Sequence, residues 1–460
     1  MIFEQFYLGC LAHASYLIGS EGMAAVIDPQ RDIELYLAAA REHDLKIAHV
    51  IETHLHADFV SGHRELAERT GAIIYLGEGS GATLHHRAVR DGDKIAFGKC
   101  RLKVLQTPGH TVESICLVVT DLDQGSEPQA VLTGDTLFIG DVGRPDLSDQ
   151  YTPRELAGLL YDSLHQKLLT LPDNVLVYPA HGAGSMCGRN ISADRSSTIG
   201  RERQFNYALR FMSRDEFVSL MTEDLPARPE YFQRDVSINR EGAPALASLP
   251  PIEAITPREA DRMRLNGITI LDTRAANQFC SGHVPQSINI GLGGQFAAWA
   301  GSVIGLDREL ILVAEDRNAA DEARNRLARV GIERVAGFIE DGVTGWVRAG
   351  YPLESTDQIS VQELQAQLAS NPDLRVVDVR RPPEWNAGHI KGAVLHPLDR
   401  LRHSFTELDP TDLLAVHCKS GYRSAIACSL LQAEGFTRVI NVLGGFDAWS
   451  GAGFPVAQVS

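Results

Sequence analysis

Runs of Lys or Arg are missing from this chain, and with a formal charge of -16 it has no basic face to offer. Nucleic acid is therefore excluded as an expected partner. No apolar stretch approaches the roughly 18 residues of a membrane span. The start, Met1-Ile2-Phe3-Glu4-Gln5-Phe6-Tyr7, lacks the basic opening of a secretory leader. No membrane association is expected, and a cytoplasmic location is the default. The seven cysteines (10, 100, 116, 187, 280, 418 and 428) are odd in number and form no C-x-x-C pair. A disulfide framework is not expected, which leaves thiol chemistry open.

What the chain does have is length. Its 460 residues, 44% apolar and 22% charged, exceed one compact core and imply about three ordinary globular domains. An internal repeat organises the second half. Leu271-Asp272-Thr273-Arg274 and Gly282-His283-Val284-Pro285 return as Val377-Asp378-Val379-Arg380 and Gly388-His389-Ile390-Lys391, both offset by 106 (378 minus 272; 388 minus 282). Trp346 and Ala349-Gly350-Tyr351-Pro352 recur as Trp449 and Ala452-Gly453-Phe454-Pro455, offset by 103 (455 minus 352). The runs Ile268–Leu271, Leu310–Val313 and Leu413–Val416 suit buried parallel strands, and helical spacing follows the last two. Two small α/β domains in tandem are expected. Asp224–Pro251, rich in Pro, Arg and Glu, reads as a linker. Ahead of it, short strands such as Ala24–Asp28 and His49–Glu52 with turn-rich connections fit an αββα sandwich.

The front half carries a metal-ligand pattern. Thr53-His54-Leu55-His56-Ala57-Asp58-Phe59 is followed by Thr107-Pro108-Gly109-His110-Thr111, Leu132-Thr133-Gly134-Asp135-Thr136 and Tyr178-Pro179-Ala180-His181-Gly182. Each follows an apolar run and breaks at Gly or Pro, which places His or Asp in a loop at a strand end. A single such residue is more often a local hydrogen-bonding group than a ligand; four in this order change that balance. The pattern, with Ile27-Asp28-Pro29 and Gly140-Asp141-Val142-Gly143-Arg144-Pro145-Asp146, resembles the metallo-β-lactamase superfamily, specifically the branch shared by glyoxalase II and persulfide dioxygenases. In the usual T-H-x-H-x-D-H motif the Asp and last His help to hold a second metal. Phe59 stands where that His would be and cannot ligate. The dioxygenase resemblance implies one Fe(II) per chain on His54, His110 and Asp135, leaving three positions for O2 and substrate. His56, Asp58 and His181 would then orient ligands or move protons, or act only as structural hydrogen-bonding groups. The sister reading is a zinc-dependent, glyoxalase II-like thioester hydrolase with two metals.

The same resemblance marks Arg144 and Arg203, the latter within Glu202-Arg203 and Asn206, as clamps for the substrate's carboxylates. Glutathione persulfide is the expected substrate; coenzyme A persulfide or another thiol carrier is the alternative. Cys187 is either a persulfide relay beside the site or a buried inert thiol.

In the second repeat, Val416-His417-Cys418-Lys419-Ser420-Gly421-Tyr422-Arg423-Ser424 reads as a strand, a short loop and a helix beginning near Gly421. The thiol would sit above backbone N–H groups at the helix N-terminus, and that field, with Arg423, favours a bound anion or persulfide. The C-x-x-G-x-R-S pattern, with Leu443-Gly444-Gly445 and Trp449, resembles rhodanese sulfurtransferases. A cysteine phosphatase needs a loop one residue longer than 419–422. The resemblance implies that Cys418 carries the persulfide, that Lys419, Ser420, Gly421, Tyr422 and Ser424 build the loop, and that Arg423 orders it or attracts thiosulfate. At the matching place the first repeat reads Val313-Ala314-Glu315-Asp316-Arg317-Asn318, without cysteine, and resembles an inactive rhodanese domain serving as a spacer or docking surface.

The expected division is therefore a dioxygenase domain at 1–235, a linker at 236–252, an inactive rhodanese domain at 253–355 and an active one at 356–460. The resemblance implies oxidation of a thiol persulfide by O2 to sulfite and thiol, coupled to sulfane-sulfur transfer between persulfide or sulfite and thiosulfate, in sulfide detoxification. A homo-oligomer is admitted.

Overall fold

The computed structural model describes residues 1–148, 150–223, 225 and 228–458. Asp224, where the linker-like composition begins, and Val459–Ser460, the end of the second repeat, lie outside the described residues. The chain divides into two units, the first built on Met1–Leu249 and the second beginning at Pro250.

In the first unit, strands β1 (Ile2–Leu8), β2 (His13–Ser20), β3 (Met23–Ile27), β4 (Lys46–Ile51), β5 (Ile73–Gly77) and β6 (Arg87–Val89) form one sheet in sequence order. A second sheet contains β7 (Lys94–Phe97), β8 (Cys100–Gln106), β9 (Ile115–Asp121), β10 (Ala130–Gly134), β11 (Leu176–Pro179) and β12 (Ser197–Thr198). Side-chain alternation distributes the core. Leu102 and Val104 of β8 point with Tyr16, Ile18 and Ile51 into the space between the sheets, whereas Leu105, Cys116 and Val118 face outward. That outer face is covered by Leu160 and Leu164 of helix Pro153–Gln166 and Phe217 of helix Arg214–Thr222. Tyr36 of helix Glu34–Glu42 and Leu66 of helix His63–Thr70 cover the other sheet. The result is the expected αββα sandwich. Helix Pro153–Gln166 starts where Thr152 and Glu155 cap each other's backbone N–H ahead of Pro153, so its register over the sheet is set locally.

The expected linker is partly helix. Tyr231–Glu241 is helical, with Tyr231, Phe232, Asp235 and Asn239 buried in the first unit.

The second unit contains two parallel sheets of five strands. In the first, β13 (Ala254–Ile255), β14 (Thr269–Asp272), β15 (Ile288–Asn289), β16 (Leu310–Val313) and β17 (Val335–Ile339) take the order β13-β17-β16-β14-β15. In the second, β18 (Asp357–Ile359), β19 (Leu374–Asp378), β21 (Val394–Leu395), β22 (Leu413–His417) and β23 (Val439–Val442) take the order β18-β23-β22-β19-β21, while β20 (His389–Ile390) pairs with β24 (Val456–Ala457). The two orders are the same when the copies are aligned, and so are the local contacts behind the repeated motifs. Arg274 holds Asp272 and donates to the Gly282 carbonyl at 2.9 Å; Arg380 does the same with Asp378 and Gly388 at 2.7 Å. The Trp346 and Trp449 indoles donate to the carbonyls of Pro352 and Pro455 at 2.9 and 3.0 Å. Among the described residues no helix is long and apolar enough to cross a membrane.

Candidate metal centre and sulfur loop

Both candidate sites lie at strand ends. In the first unit His54, His56, Asp58 and Phe59 follow β4, His110 follows β8, Asp135 follows β10 and His181 follows β11. The folded chain gathers them into one buried group. His54 Nε2 and His110 Nε2 lie 3.7 and 3.3 Å from the same carboxylate oxygen, Asp135 Oδ2, and this trio has spacing suited to a metal ion. Asp135 Oδ2 is fully buried yet accepts no hydrogen bond, an arrangement that costs free energy unless something else satisfies it.

The other ring nitrogens of both histidines are already engaged. Thr53 Oγ1 donates to Asp28 Oδ2 at 2.9 Å and lies 3.0 Å from His54 Nδ1, so it is an acceptor for a proton on Nδ1. His110 Nδ1 is 2.9 Å from the Arg144 carbonyl, which can only accept. Each Nε2 is thereby left as a lone-pair donor. Electrostatics agrees with that protonation state. Burial, with the neighbouring His56, holds His54 well below the usual histidine range, and burial lowers His110. Burial opposes ionisation of Asp135, but the charges of His181 and His54 hold its carboxyl well below the usual range. Two neutral imidazoles and one carboxylate fit an open site for a divalent metal ion.

The remaining motif residues face elsewhere. His56 Nε2 is 3.2 Å from Asp28 Oδ1 and 3.3 Å from Glu52 Oε2. His181 bridges Asp135 and Asp58 at 2.7 and 2.9 Å, and these carboxylates raise its pKa well above normal against its burial. His13, His56 and His181, and Asp58, His181 and Cys187, also have metal-like spacing, but His56 and His181 are committed to these ion pairs. The Phe59 ring packs 4.4 Å from His56 and 4.2 Å from His13. Gly143 is required by closeness alone: a Cβ there would lie 2.0 Å from the Asp135 carbonyl and 2.9 Å from His110 Nδ1.

In the second unit β22 ends at His417 and a helix runs from Tyr422 to Ala433. The buried Cys418 Sγ accepts the Gly421 N–H at 3.1 Å. Its loop is pinned from behind, where Phe446 and Asp447 N–H donate to the Cys418 and Lys419 carbonyls at 2.8 and 2.9 Å. A Cβ on Gly445 would lie 2.4 Å from the Cys418 carbonyl. Ser424 Oγ donates 2.7 Å to Asn441 Oδ1.

Sequence comparison places these geometries. The metallo-beta-lactamase superfamily model matches residues 8–181, and the rhodanese-like domain model matches 256–349 and 360–452. The mitochondrial persulfide dioxygenase ETHE1 of Bos taurus is 32% identical over 235 residues, 49% of this chain and 82% of the relative. A hydroxyacylglutathione hydrolase of Polaromonas sp. is 30% identical over 258 residues, 50% of this chain and 93% of the relative. The chain belongs to the metallo-beta-lactamase superfamily. Two rhodanese domains follow that domain. Among solved structures, a metallo-beta-lactamase from Staphylococcus aureus subsp. aureus COL is 34% identical with a TM-score of 0.66, covering 74% of this chain and 98% of that one.

Within the metallo-beta-lactamase domain, two residues expected to bind substrate are otherwise engaged. The buried Arg144 makes a two-pronged pair with Asp146 at 2.6 and 2.8 Å and donates to the Met186 carbonyl. Arg203 is exposed, paired with Asp173 at 2.7 Å and the Leu169 carbonyl at 2.8 Å. Glu202 and Asn206 are structural: Glu202 accepts from Gly140 N–H at 2.8 Å, and Asn206 donates to the Asp141 carbonyl at 3.0 Å. Cys187 is buried beside Asp58 and His181, and burial and the carboxylates of Asp58 and Asp135 push its thiol well above the usual range.

In the Cys418 loop, Arg423 forms a two-pronged pair with Glu384, both at 2.7 Å, which fits ordering the loop. The first rhodanese copy supports the same helix. Tyr422 OH donates to the Gly291 carbonyl at 2.9 Å, and Asn289 N–H donates to Ser429 Oγ at 2.9 Å. Where that copy would hold sulfur, Asp316 Oδ1 instead accepts from Ala319 N–H at 2.8 Å at the start of a helix.

The sequence reading missed His13, Glu52 and Asn239. His13 opens β2, Glu52 directly follows β4, and Asn239 sits in a polar stretch. None carries a local signal, because each acts through partners distant in sequence.

Proposed function

We propose that the metallo-beta-lactamase domain, residues 1–235 with the helix that continues to Glu241, oxidises a low-molecular-weight thiol persulfide. The reading assigns inactive and active rhodanese domains to 253–355 and 356–460. The observation that carries it is the buried His54, His110 and Asp135 set with its unsatisfied carboxylate oxygen, beside a His56 committed to Asp28 and Glu52. The likeness to persulfide dioxygenase ETHE1 supports it.

One Fe(II) on these three residues would supply O2 binding and the redox chemistry. His54 and His110 present unprotonated Nε2 atoms, and His181, between Asp135 and Asp58, orients the carboxylate and can hold or pass a proton. Phe59, packed on His13 and His56, offers no ligand atom beside the site. Overall, one persulfide, one O2 and one water give thiol, sulfite and two protons.

At the rhodanese loop, the Cys418 sulfur attacks the sulfane sulfur of a persulfide and releases the thiol. The Cys418 persulfide then passes that sulfur to sulfite, giving thiosulfate and restoring the cysteine; the reverse runs from thiosulfate. The Gly421 N–H is placed to stabilise charge on Sγ.

The test is metal content with O2 uptake. The expected result is about one iron per chain and O2 consumption with glutathione persulfide. Two zinc ions per chain with hydrolysis of S-lactoylglutathione and no O2 use would establish the hydrolase instead.

A further inference from the structure

The chain has no run of lysine or arginine, yet the fold gathers cations that the sequence keeps apart. It contains only seven lysines. Three of them, Lys94, Lys103 and Lys167, line one cleft of about 690 Å³ in the first unit together with Arg101. Among the described residues Asp91 is the only acid that lines it, and no residue of the metal loops does.

The hairpin of β7 and β8 explains the gathering. Lys94 and Lys103 are direct cross-strand partners, and Arg101 stands opposite Ala96 two positions along. Leu102 and Val104 alternate with them and point into the core. The three cationic side chains therefore share the outer face, where those of Lys94 and Lys103 start about 5 Å apart. Like charges set directly opposite each other cost stability. Protection of an open sheet edge accounts for Lys94, because β7 is the outermost strand. It does not account for Lys103 and Arg101, which lie on the strand inside it.

The acid of the cleft is already engaged. Lys167 Nζ donates to Asp91 Oδ1 at 2.6 Å, and the Gln106 N–H donates to the same oxygen at 2.9 Å. Burial opposes ionisation of Asp91, but Lys167, the Gln106 N–H and, last, the charge of Lys103 hold its carboxyl below the usual range. Among the described residues the side chains of Lys94, Lys103 and Arg101 make no hydrogen bond or ion pair. One carboxylate thus faces four cations.

The lining narrows the ligand. Three cations without an acidic partner on one face suit an anion of more than one charge, and a guanidinium beside two ammonium groups suits phosphate oxygens. Leu105, Val118 and Leu171 give the cleft an apolar part, and its volume fits a small molecule.

We infer that this cleft binds a small molecule carrying two or more linked phosphates, which lie over Lys94, Lys103 and Arg101. The assignment is independent of the oxidation reading, because no residue of the cleft takes part in that reaction.

The probes are ATP and inorganic pyrophosphate, each free of divalent metal, titrated calorimetrically into the full chain at about 50 mM salt, where exposed charges are weakly screened. Wild type is expected to bind. The double variant Lys94→Gln/Lys103→Gln should bind about tenfold more weakly or worse, as for loss of charge-assisted bonds, and Arg101→Lys should keep more affinity than Arg101→Gln. Lys99→Gln, in the turn of the same hairpin but outside the cleft, should bind as wild type does. Tighter binding of ATP than of pyrophosphate identifies an ester that also uses the apolar part; equal binding identifies the inorganic chain. No binding at millimolar probe overturns the assignment. So does an equal loss in Lys99→Gln, which would mean diffuse attraction, or an unchanged affinity in the double variant, which would place the anion at the metal residues.

Discussion

His54 and His56 are two residues apart in one motif, yet their surroundings separate their chemistry. Burial leaves His54 neutral beside Asp135, whereas Asp28 and Glu52 overcome burial at His56 and raise its pKa from 6.5 to about 10. Glu52 moves the other way: burial opposes ionisation, but His56 and His63 bring it from 4.5 to about 2. The linkage signs follow. The His56 contribution to stability is fully present below its unfolded value of 6.5 and is lost as pH rises through about 10. The Glu52 contribution is present above 4.5 and is lost as pH falls towards about 2. Glu52→Gln should therefore destabilise the protein most near about pH 5.5, with the gap to wild type narrowing towards about pH 9. Urea unfolding across that range checks it, and a gap that widened with pH would contradict the pairing.

Among the elements, helix Tyr231–Glu241 shows where sequence reading stops. Its polar composition after Pro229 reads as the start of a linker, but the helix turns Asn239 inward. There its side-chain amide donates to the His56 and Phe59 carbonyls, both at 2.8 Å, and accepts the Ser61 N–H at 2.8 Å. One side chain thus satisfies three backbone groups of the metal loop. Asn239→Ala leaves them unpaired, and a loss of about 1–3 kcal/mol is expected, read as a lower urea midpoint. A change below about 0.5 kcal/mol, the range of ordinary surface substitutions, would mean that the helix does not anchor the loop. The strands and helices of the two rhodanese copies were legible because repetition and apolar runs are local properties of the chain. The anchoring by Asn239 was not, because its partners lie about 180 positions away.

For the whole molecule, the metal residues lie in the first unit and Cys418 in the second, so their chemistry should separate by mutation. Asp135→Ala is expected to abolish O2 uptake and spare sulfur transfer to and from thiosulfate, and Cys418→Ser to do the reverse. Loss of both activities in either variant would refute independent sites. The sequence by itself determined the αββα sandwich, the two rhodanese domains and the residues that could serve as ligands. Strand periodicity, loop-forming glycines and donor atoms are properties of residue order. Only the tertiary structure decided how those donors are used: His56 is committed to Asp28 and Glu52, Arg144 to Asp146 and Arg423 to Glu384. The physical reason is that the state of a buried charge depends on the partners that desolvation forces it to find, and those partners become neighbours only when the chain folds.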